Sequence, residues 1–129
     1  MNNAIIGIGS NINPQSNILV ALRKVEQYFT IHKQSSLIKT KPIGFRSQPD
    51  FINGVIHIRT NNSQDEVVQR LKSIEIEMGR VRSGNKYGPR VIDLDLLIWN
   101  NVIIDDEVNS IKFLQNLIRE LGLDINFDG

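Results

Sequence analysis

Strand-like and helix-like patterns alternate along this chain in the order strand, helix, strand, strand, helix, strand, and a last helix follows. The first predicted strand runs from Ala4 to Gly9, where we expect Gly7, Gly9 and Ser10 to end it. Two helices, each flanked by strands, fold most simply as an antiparallel or mixed sheet with the helices packed on one face. This order therefore predicts an α+β, ferredoxin-like βαββαβ sandwich whose second sheet face is free for a ligand.

Apolar residues at helical spacing mark the helices. Pro14 opens the first one, whose predicted stripe is Ile18, Leu19, Leu22, Val25 and Phe29. The second helix begins after Ser63, which forms a capping box with Glu66, and ends at Gly79. Its apolar positions are Val67, Val68, Leu71, Ile74 and Met78. A short amphipathic helix from Ile111 to Leu121 completes the pattern.

The remaining strands are predicted from alternation and from the turn residues around them. Ser35 to Lys41 is the second strand and Phe51 to Thr60 the third, with a loop at residues 42–50 that is interrupted by proline and glycine. Asn100 and Asn101 form a tight turn that leads into Val102 to Ile104. A chain of 129 residues is long enough for one hydrophobic core, so a single domain over residues 1–129 is expected.

Composition excludes several functional classes. The formal net charge of +1 gives no overall attraction to nucleic acid or to an anionic membrane. The chain contains no cysteine, which excludes a disulfide framework and a thiolate metal site. Its start lacks the basic and apolar regions of a signal peptide, and no apolar run is long enough to span a bilayer. A soluble cytoplasmic protein is the expectation.

Two carboxylates interrupt an apolar run between Gly88 and Trp99 that is otherwise typical of a buried strand. Because side chains alternate across a strand, Asp93 and Asp95 point to the same face, where their charges repel unless a cation lies between them. A divalent metal such as Mg²⁺ is the simplest explanation. The alternative is a surface pair without a metal, but the leucines around the pair argue against exposure.

A basic cluster lies just before this strand, in a stretch that also contains three glycines. Its members are Arg80, Arg82, Lys86 and Arg90. Guanidinium groups match phosphate oxygens, and a Mg²⁺-binding carboxylate pair beside them indicates a nucleoside triphosphate and phosphoryl-type transfer. The alternative is a solvated loop, which is the favoured interpretation for Lys86.

Five motifs in this order resemble the 6-hydroxymethyl-7,8-dihydropterin pyrophosphokinase family. They are Gly9 to Asn11, Pro42 with Gly44, Gln48 to Asn53, Glu75 with Gly79 to Arg82, and Gly88 to Leu97. Together they cover roughly the first four-fifths of the chain, and the joint pattern is far more specific than any one motif. The resemblance implies transfer of pyrophosphate from ATP to the hydroxymethyl group of the pterin, with release of AMP, in folate biosynthesis.

The resemblance also implies roles for individual residues. It makes Asp93 and Asp95 the ligands of two Mg²⁺ ions and places Arg82 in a loop that closes over the site. The catalytic set is Arg82, Arg90, Asp93 and Asp95. The ATP-binding set is Lys72, Glu75, Arg80, Arg82 and Arg90, with Lys72 where the family commonly has glutamine. The pterin-binding set is Thr40, Ile43, Gly44, Phe51, Asn53 and Tyr87. No general base is identified.

Without the resemblance, three of these residues have simpler interpretations. Glu75 would be an acid on a helix surface, Asn53 a polar group at a strand end and Phe51 a core residue. His32 and His57 are expected to be structural or exposed, since nothing near them in the sequence offers an acid–base partner.

The chain departs from the family after Val102. Family members continue into a segment whose histidine and arginine contact phosphate and whose phenylalanine forms the second wall of the pterin site. Here residues 105–110 lead directly into the last predicted helix, so we expect a short member of the family, with Phe113 or Phe127 as candidates to replace the missing ring.

Two alternative functions remain open from the sequence. One is a nucleotide- or pterin-binding module that has lost turnover. The other is an RNA-binding domain, which the low net charge and the lack of paired aromatic residues on the central strands disfavour. The expected partners are ATP and a pterin, with no nucleic acid and no membrane; the oligomeric state is open.

Overall fold

The computed structural model describes residues 1–44, 46–79 and 89–127. The strands in these ranges are β1 (Asn2–Ser10), β2 (Thr30–Gln34), β3 (Ile38–Thr40), β4 (Phe51–Thr60), β5 (Asp93–Trp99) and β6 (Val102–Ile103). The helices are α1 (Pro14–Glu26), α2 (Gln64–Glu77), α3 (Glu107–Ser110) and α4 (Lys112–Glu120). The predicted α+β class is confirmed.

The strands form one sheet in the order β2-β4-β1-β5-β6, with β3 also paired to β4. Every pairing between the described strands is antiparallel. Strand β1 is central, and β4 and β5 are its two neighbours. Side chains from these three strands therefore meet on a common surface.

The sheet carries an apolar core on each face. Ala4, Ile6 and Ile8 of β1 face α1 and α2, where they pack with apolar residues of both helices. Ile5 points to the opposite face and packs in a second cluster that includes Leu117 and Ile118 of α4. Complete burial of one such side chain contributes about 1.5–3 kcal/mol, so both clusters hold helices firmly on the sheet.

The second cluster corrects one prediction. The second sheet face is not free along its whole length, because α3 and α4 cover the part around Ile5, Val55 and Ile98. The part of this face around Gly7 and Gly9 lines a pocket. The sequence pattern did not show that the last helix would pack on this side.

Several boundaries also differ from the predictions. Gly7 and Gly9 lie inside β1 and do not end it. The strand predicted at residues 35–41 is replaced by β2 and β3, and β2 begins earlier, at Thr30. Leu19 is 50% exposed and leaves the predicted stripe of α1. The helix predicted from Ile111 is α4, with the one-turn α3 before it.

Other predictions are confirmed by short-range contacts. The Ser63 hydroxyl accepts from the Glu66 N–H at 3.2 Å, and the Glu66 carboxylate accepts from the Ser63 N–H at 2.9 Å, which is the capping box. Gly79 ends α2 with φ of +87°, and Asn100 and Asn101 turn β5 into β6 with φ of +48° and +67°.

In the described ranges, no helix combines the length and apolar character needed to cross a membrane.

Candidate active site

A pocket of about 550 Å³ opens on the second face of the sheet, beside α3 and α4. Strands β1, β4 and β5 each contribute residues to it, and the loops after β3 and before β5 contribute more. Among its lining residues are Gly7, Gly9, Thr40, Ile43, Phe51, Asn53, Arg90, Asp93 and Asp95. Seven of the predicted site residues are therefore in one place.

The pocket has a floor of bare backbone, which we call the glycine floor and define as Gly7 and Gly9 of β1. Gly7 pairs with Asp95 on β5, and Gly9 pairs with Asp93 on β5 and Asn53 on β4. Because these residues share one face of the sheet, no β1 side chain separates Asn53 from the aspartates. The amide and the carboxylates thus face the same space across the central strand.

Space, not backbone conformation, favours glycine at these positions, strongly at Gly9 and only weakly at Gly7. A Cβ on Gly9 would lie 2.5 Å from Asn53 Oδ1, and one on Gly7 would lie 3.2 Å from Leu97 Cδ1. The prediction that both glycines end a strand is wrong and does not include this role. Their pairing partners lie on strands distant in sequence, so no local signal could have revealed it.

Asp93 and Asp95 lie at the start of β5, where Asp93 is half-buried and Asp95 is exposed. Residues two apart on a strand are about 6.6 Å apart along it and point the same way. Both carboxylates line the pocket, as the alternation predicts. Their placement supports a shared cation or a shared phosphorylated ligand.

Glu75 fixes the backbone between the two aspartates. It is 4% exposed on α2, and its Oε2 accepts a hydrogen bond from the N–H of Leu94 at 2.8 Å. The interpretation of Glu75 as a helix-surface acid is therefore wrong. Glu75 is not a lining residue of the pocket, and its contact stabilises the strand that presents Asp93 and Asp95.

Asn53 is held on the other side of the glycine floor. Its Nδ2 donates to Thr40 Oγ1 at 2.6 Å, and β3 pairs with β4 so that Thr40 lies opposite Phe51. Asn53, Thr40 and Phe51 are all half-buried, so each retains surface that a ligand can contact. Ile43 is 53% exposed at the pocket edge, while Gly44 is adjacent in sequence but not among the lining residues.

The remaining predicted residues are distributed differently. Arg90 is half-buried and lines the pocket. Lys72 is exposed on α2 and is not a lining residue. Arg80, Arg82 and Tyr87 lie outside the described residues, so their roles stay predictions.

The C-terminal part of the chain forms a further wall of the pocket. The lining residues that it contributes are Asp105, Glu107, Ser110, Ile111, Phe113 and Leu114. Of the two candidate aromatic residues, Phe113 faces the pocket, while the ring of Phe127 lies 5.2 Å from the guanidinium carbon of Arg119. No local sequence pattern predicts the other lining residues, because their position depends on how α3 and α4 pack.

The donor set fits Mg²⁺ that is bound together with a phosphate ligand. Within residues 1–44, 46–79 and 89–127, no group of three or more His, Asp or Glu side chains could hold a metal by itself. Mg²⁺ usually keeps several waters and binds to one or two carboxylates plus substrate phosphates. Asp93 and Asp95 provide such a pair on a pocket wall that a ligand can reach.

Comparison with known proteins agrees with this geometry. A family model described as 7,8-dihydro-6-hydroxymethylpterin-pyrophosphokinase matches residues 5–122. A protein of Haemophilus influenzae named 2-amino-4-hydroxy-6-hydroxymethyldihydropteridine pyrophosphokinase is 40% identical over 107 residues, which cover 81% of this chain and 66% of that protein. A protein of the same name from Aquifex aeolicus is 36% identical over 100 residues, 77% of this chain and 62% of that protein.

Another relative with this name, from Bacillus subtilis, is 38% identical over 111 residues, which cover 83% of this chain and 66% of the relative. The chain thus spans slightly less than two thirds of the length of these three relatives. The family match covers most of this chain, including β4 with Asn53 and β5 with Asp93 and Asp95. The chain belongs to the 7,8-dihydro-6-hydroxymethylpterin-pyrophosphokinase family.

Proposed function

We propose that this chain transfers pyrophosphate from ATP to 6-hydroxymethyl-7,8-dihydropterin, giving AMP and the pterin diphosphate, as a step of folate biosynthesis. The observation that carries the proposal is the glycine floor, which lets Asn53 and the pair Asp93 and Asp95 face one pocket from opposite sides of β1. An amide suits a flat heterocycle and a carboxylate pair suits Mg²⁺ with phosphates. The names of the relatives support the same reaction.

In this proposal the pterin lies on the Asn53 side. The Asn53 amide donates and accepts hydrogen bonds with the ring edge, and the Phe51 ring provides an aromatic contact for its flat face. Thr40 keeps the amide in place through the 2.6 Å hydrogen bond. Ile43 and the backbone beside Gly44 form the outer edge of this side.

The triphosphate lies on the β5 side. Asp93 and Asp95 would hold Mg²⁺, which neutralises phosphate charge when it is bound. Arg90 lines the same region and can donate to phosphate oxygens. The proposal has five further parts. These are the binding of Arg80 and Arg82 to the triphosphate, the closing loop, the nucleotide contacts of Lys72 and Glu75, the pterin contact of Tyr87 and the number of two Mg²⁺ ions.

The chain accelerates the reaction by positioning and by charge neutralisation. The oxygen of the pterin hydroxymethyl group forms a bond to the β-phosphorus of ATP, and the bond from the β-phosphorus to the α,β-bridging oxygen breaks. AMP leaves with that oxygen, and the hydroxyl proton is released to water. No protein nucleophile is required for this transfer, and a cytoplasmic location fits its substrates.

The test is AMP release from ATP and Mg²⁺ with and without 6-hydroxymethyl-7,8-dihydropterin, with Asp95→Asn as the control variant. We expect AMP that depends on the pterin and is lost in Asp95→Asn. A folded wild-type chain that releases no AMP would overturn the proposal. Binding of ATP that depends on Mg²⁺ would then identify the nucleotide-binding module instead.

A further inference from the structure

Asn11, which directly follows β1, joins two segments that border the pocket. It is 4% exposed. Its N–H donates to the carbonyl of Arg90 at 3.1 Å, and its Oδ1 accepts from the N–H of Arg90 at 2.8 Å. Its Nδ2 donates to Gln48 Oε1 at 2.7 Å and to the carbonyl of Pro49 at 3.1 Å. The buried side chain of Asn11 thus connects two segments that lie 37 and 79 residues further along the chain.

These contacts use the particular chemistry of an amide. A primary amide has an acceptor oxygen on one side and two donor hydrogens on the other. The acceptor of Asn11 serves Arg90, and the donors serve Gln48 and Pro49. An aspartate would retain the acceptor for Arg90 but would have no donor for the carbonyl of Pro49, so it would hold the second segment less well.

The two connected segments lead into opposite sides of the pocket. Pro49 comes two residues before Phe51, on the side proposed for the pterin. Arg90 comes three residues before Asp93, on the side proposed for the triphosphate. We propose that Asn11 is a positioning residue that sets the distance between the two substrate sides, an inference that rests on the proposed function.

This role makes a specific kinetic prediction. Each substrate side keeps its own contacts when Asn11 is replaced, but their relative position is no longer fixed. A misplacement of about 1 Å between reacting groups costs on the order of a hundredfold in rate. We therefore expect Asn11→Asp and Asn11→Ala to lower kcat by about ten- to a hundredfold while the Kd of the pterin alone and of a non-hydrolysable ATP analogue with Mg²⁺ change by less than about threefold.

The matched control is Asn17→Ala. Asn17 also donates its amide to a backbone carbonyl, that of Ile12 at 2.6 Å, but it lies in α1 and does not line the pocket. We expect Asn17→Ala to keep the wild-type kcat. Gln48→Ala removes one acceptor of the Asn11 amide from a half-buried position, so it tests the same contact if the Asn11 variants do not fold. A kcat loss of about threefold is expected for it.

A readout that needs no turnover separates this inference from the proposed function. The Arg90 N–H is held by Asn11, whereas the Leu94 N–H is held by Glu75. In Asn11→Ala, hydrogen exchange at the Arg90 amide should accelerate at least about tenfold, while the Leu94 amide keeps its wild-type rate. If the Arg90 amide of the wild type exchanges slowly but no AMP is released, this result would reject the proposed function and not the contact of Asn11 with Arg90.

Three results would overturn the positioning role. One is unchanged exchange at Arg90 in Asn11→Ala. The second is a wild-type kcat in the folded Asn11 variants or, if these do not fold, in Gln48→Ala. The third is a kcat loss in Asn17→Ala equal to that in the Asn11 variants, since this would show that general weakening of the region is sufficient.

Discussion

Replacing Gly9 with alanine should displace the Asn53 amide from the pocket without unfolding the protein. The added Cβ would lie 2.5 Å from Asn53 Oδ1, and ordinary contact begins at 3.4 Å, so the amide must withdraw by at least 0.9 Å. Its 2.6 Å hydrogen bond to Thr40 cannot survive this withdrawal without a matching shift of the threonine. The amide would then no longer be held where the pterin is proposed to bind.

The expected magnitudes differ for binding and for stability. A displaced amide loses two hydrogen bonds to the ligand at about 1 kcal/mol each. The loss of both raises the pterin Kd roughly 30-fold. The free energy of unfolding changes little. Loss of the Thr40 contact costs about 1 kcal/mol, and the lower entropy of the unfolded chain with alanine offsets about 0.4–1 kcal/mol of it. We expect Tm to stay within a few degrees of the wild type.

Gly7→Ala is the matched control. Its Cβ would meet Leu97 Cδ1 at 3.2 Å, and this apolar side-chain end can move a few tenths of an ångström without disturbing Asn53. A fluorescence titration with the pterin measures Kd for both variants, and thermal melting confirms that they are folded. A folded Gly9→Ala variant with the wild-type Kd would refute the reasoning. An equal loss in Gly7→Ala would show that the volume above the glycine floor matters more than the Asn53 position.

Three further predictions concern the metal pair, the buried acid and the buried histidine. Asp95→Asn should stay folded but lose the rise in Tm that ATP with Mg²⁺ gives the wild type; an equal rise in both would contradict a metal role. Glu75→Leu should lower the free energy of unfolding by about 1–3 kcal/mol, measured with urea, because the Leu94 N–H loses its 2.8 Å acceptor. Burial, followed by nearby cationic groups, lowers the pKa of His57 below 6.5, so the unfolded chain takes up the proton first as the pH falls. Stability should therefore be full above about pH 6.5 and should decrease as the pH falls from there through the lowered pKa. His57→Gln should show a smaller decrease, whereas His32→Gln, at an exposed position, should show most of the wild-type decrease. Urea unfolding at two pH values measures the decrease in each variant.

The correctly predicted features depend on contacts that are short in sequence. The capping box of α2 joins Ser63 and Glu66 within one turn, and alternation alone places Asp93 and Asp95 on one face of β5. The bounds of β4 are also as predicted, because this strand is flanked by two others and its burial is strong. Local periodicity reports such elements directly.

The features that the sequence did not reveal depend on distant partners or lack burial. Strand β2 lies at the sheet edge with four of its five residues exposed, so it has no apolar alternation to detect. The contact of Glu75 with Leu94 spans 19 residues and that of Asn11 with Arg90 spans 79. No local pattern encodes a hydrogen-bond partner at these separations. Gly9 likewise acquires its meaning only from Asn53 on the neighbouring strand.

The same strands that carry the candidate site are anchored by the apolar core between the sheet and the helices α1 and α2. Ile6 and Ile8, on either side of Gly7, are buried beneath the helices, and so is Leu94, between Asp93 and Asp95. Because alternation places a buried anchor next to each pocket residue, the backbone under the pocket cannot shift without breaking core packing. The strands and the contact of Glu75 with Leu94 thus hold the glycine floor and the two aspartates in place, whereas the loops that enter the pocket depend on the contacts of Asn11.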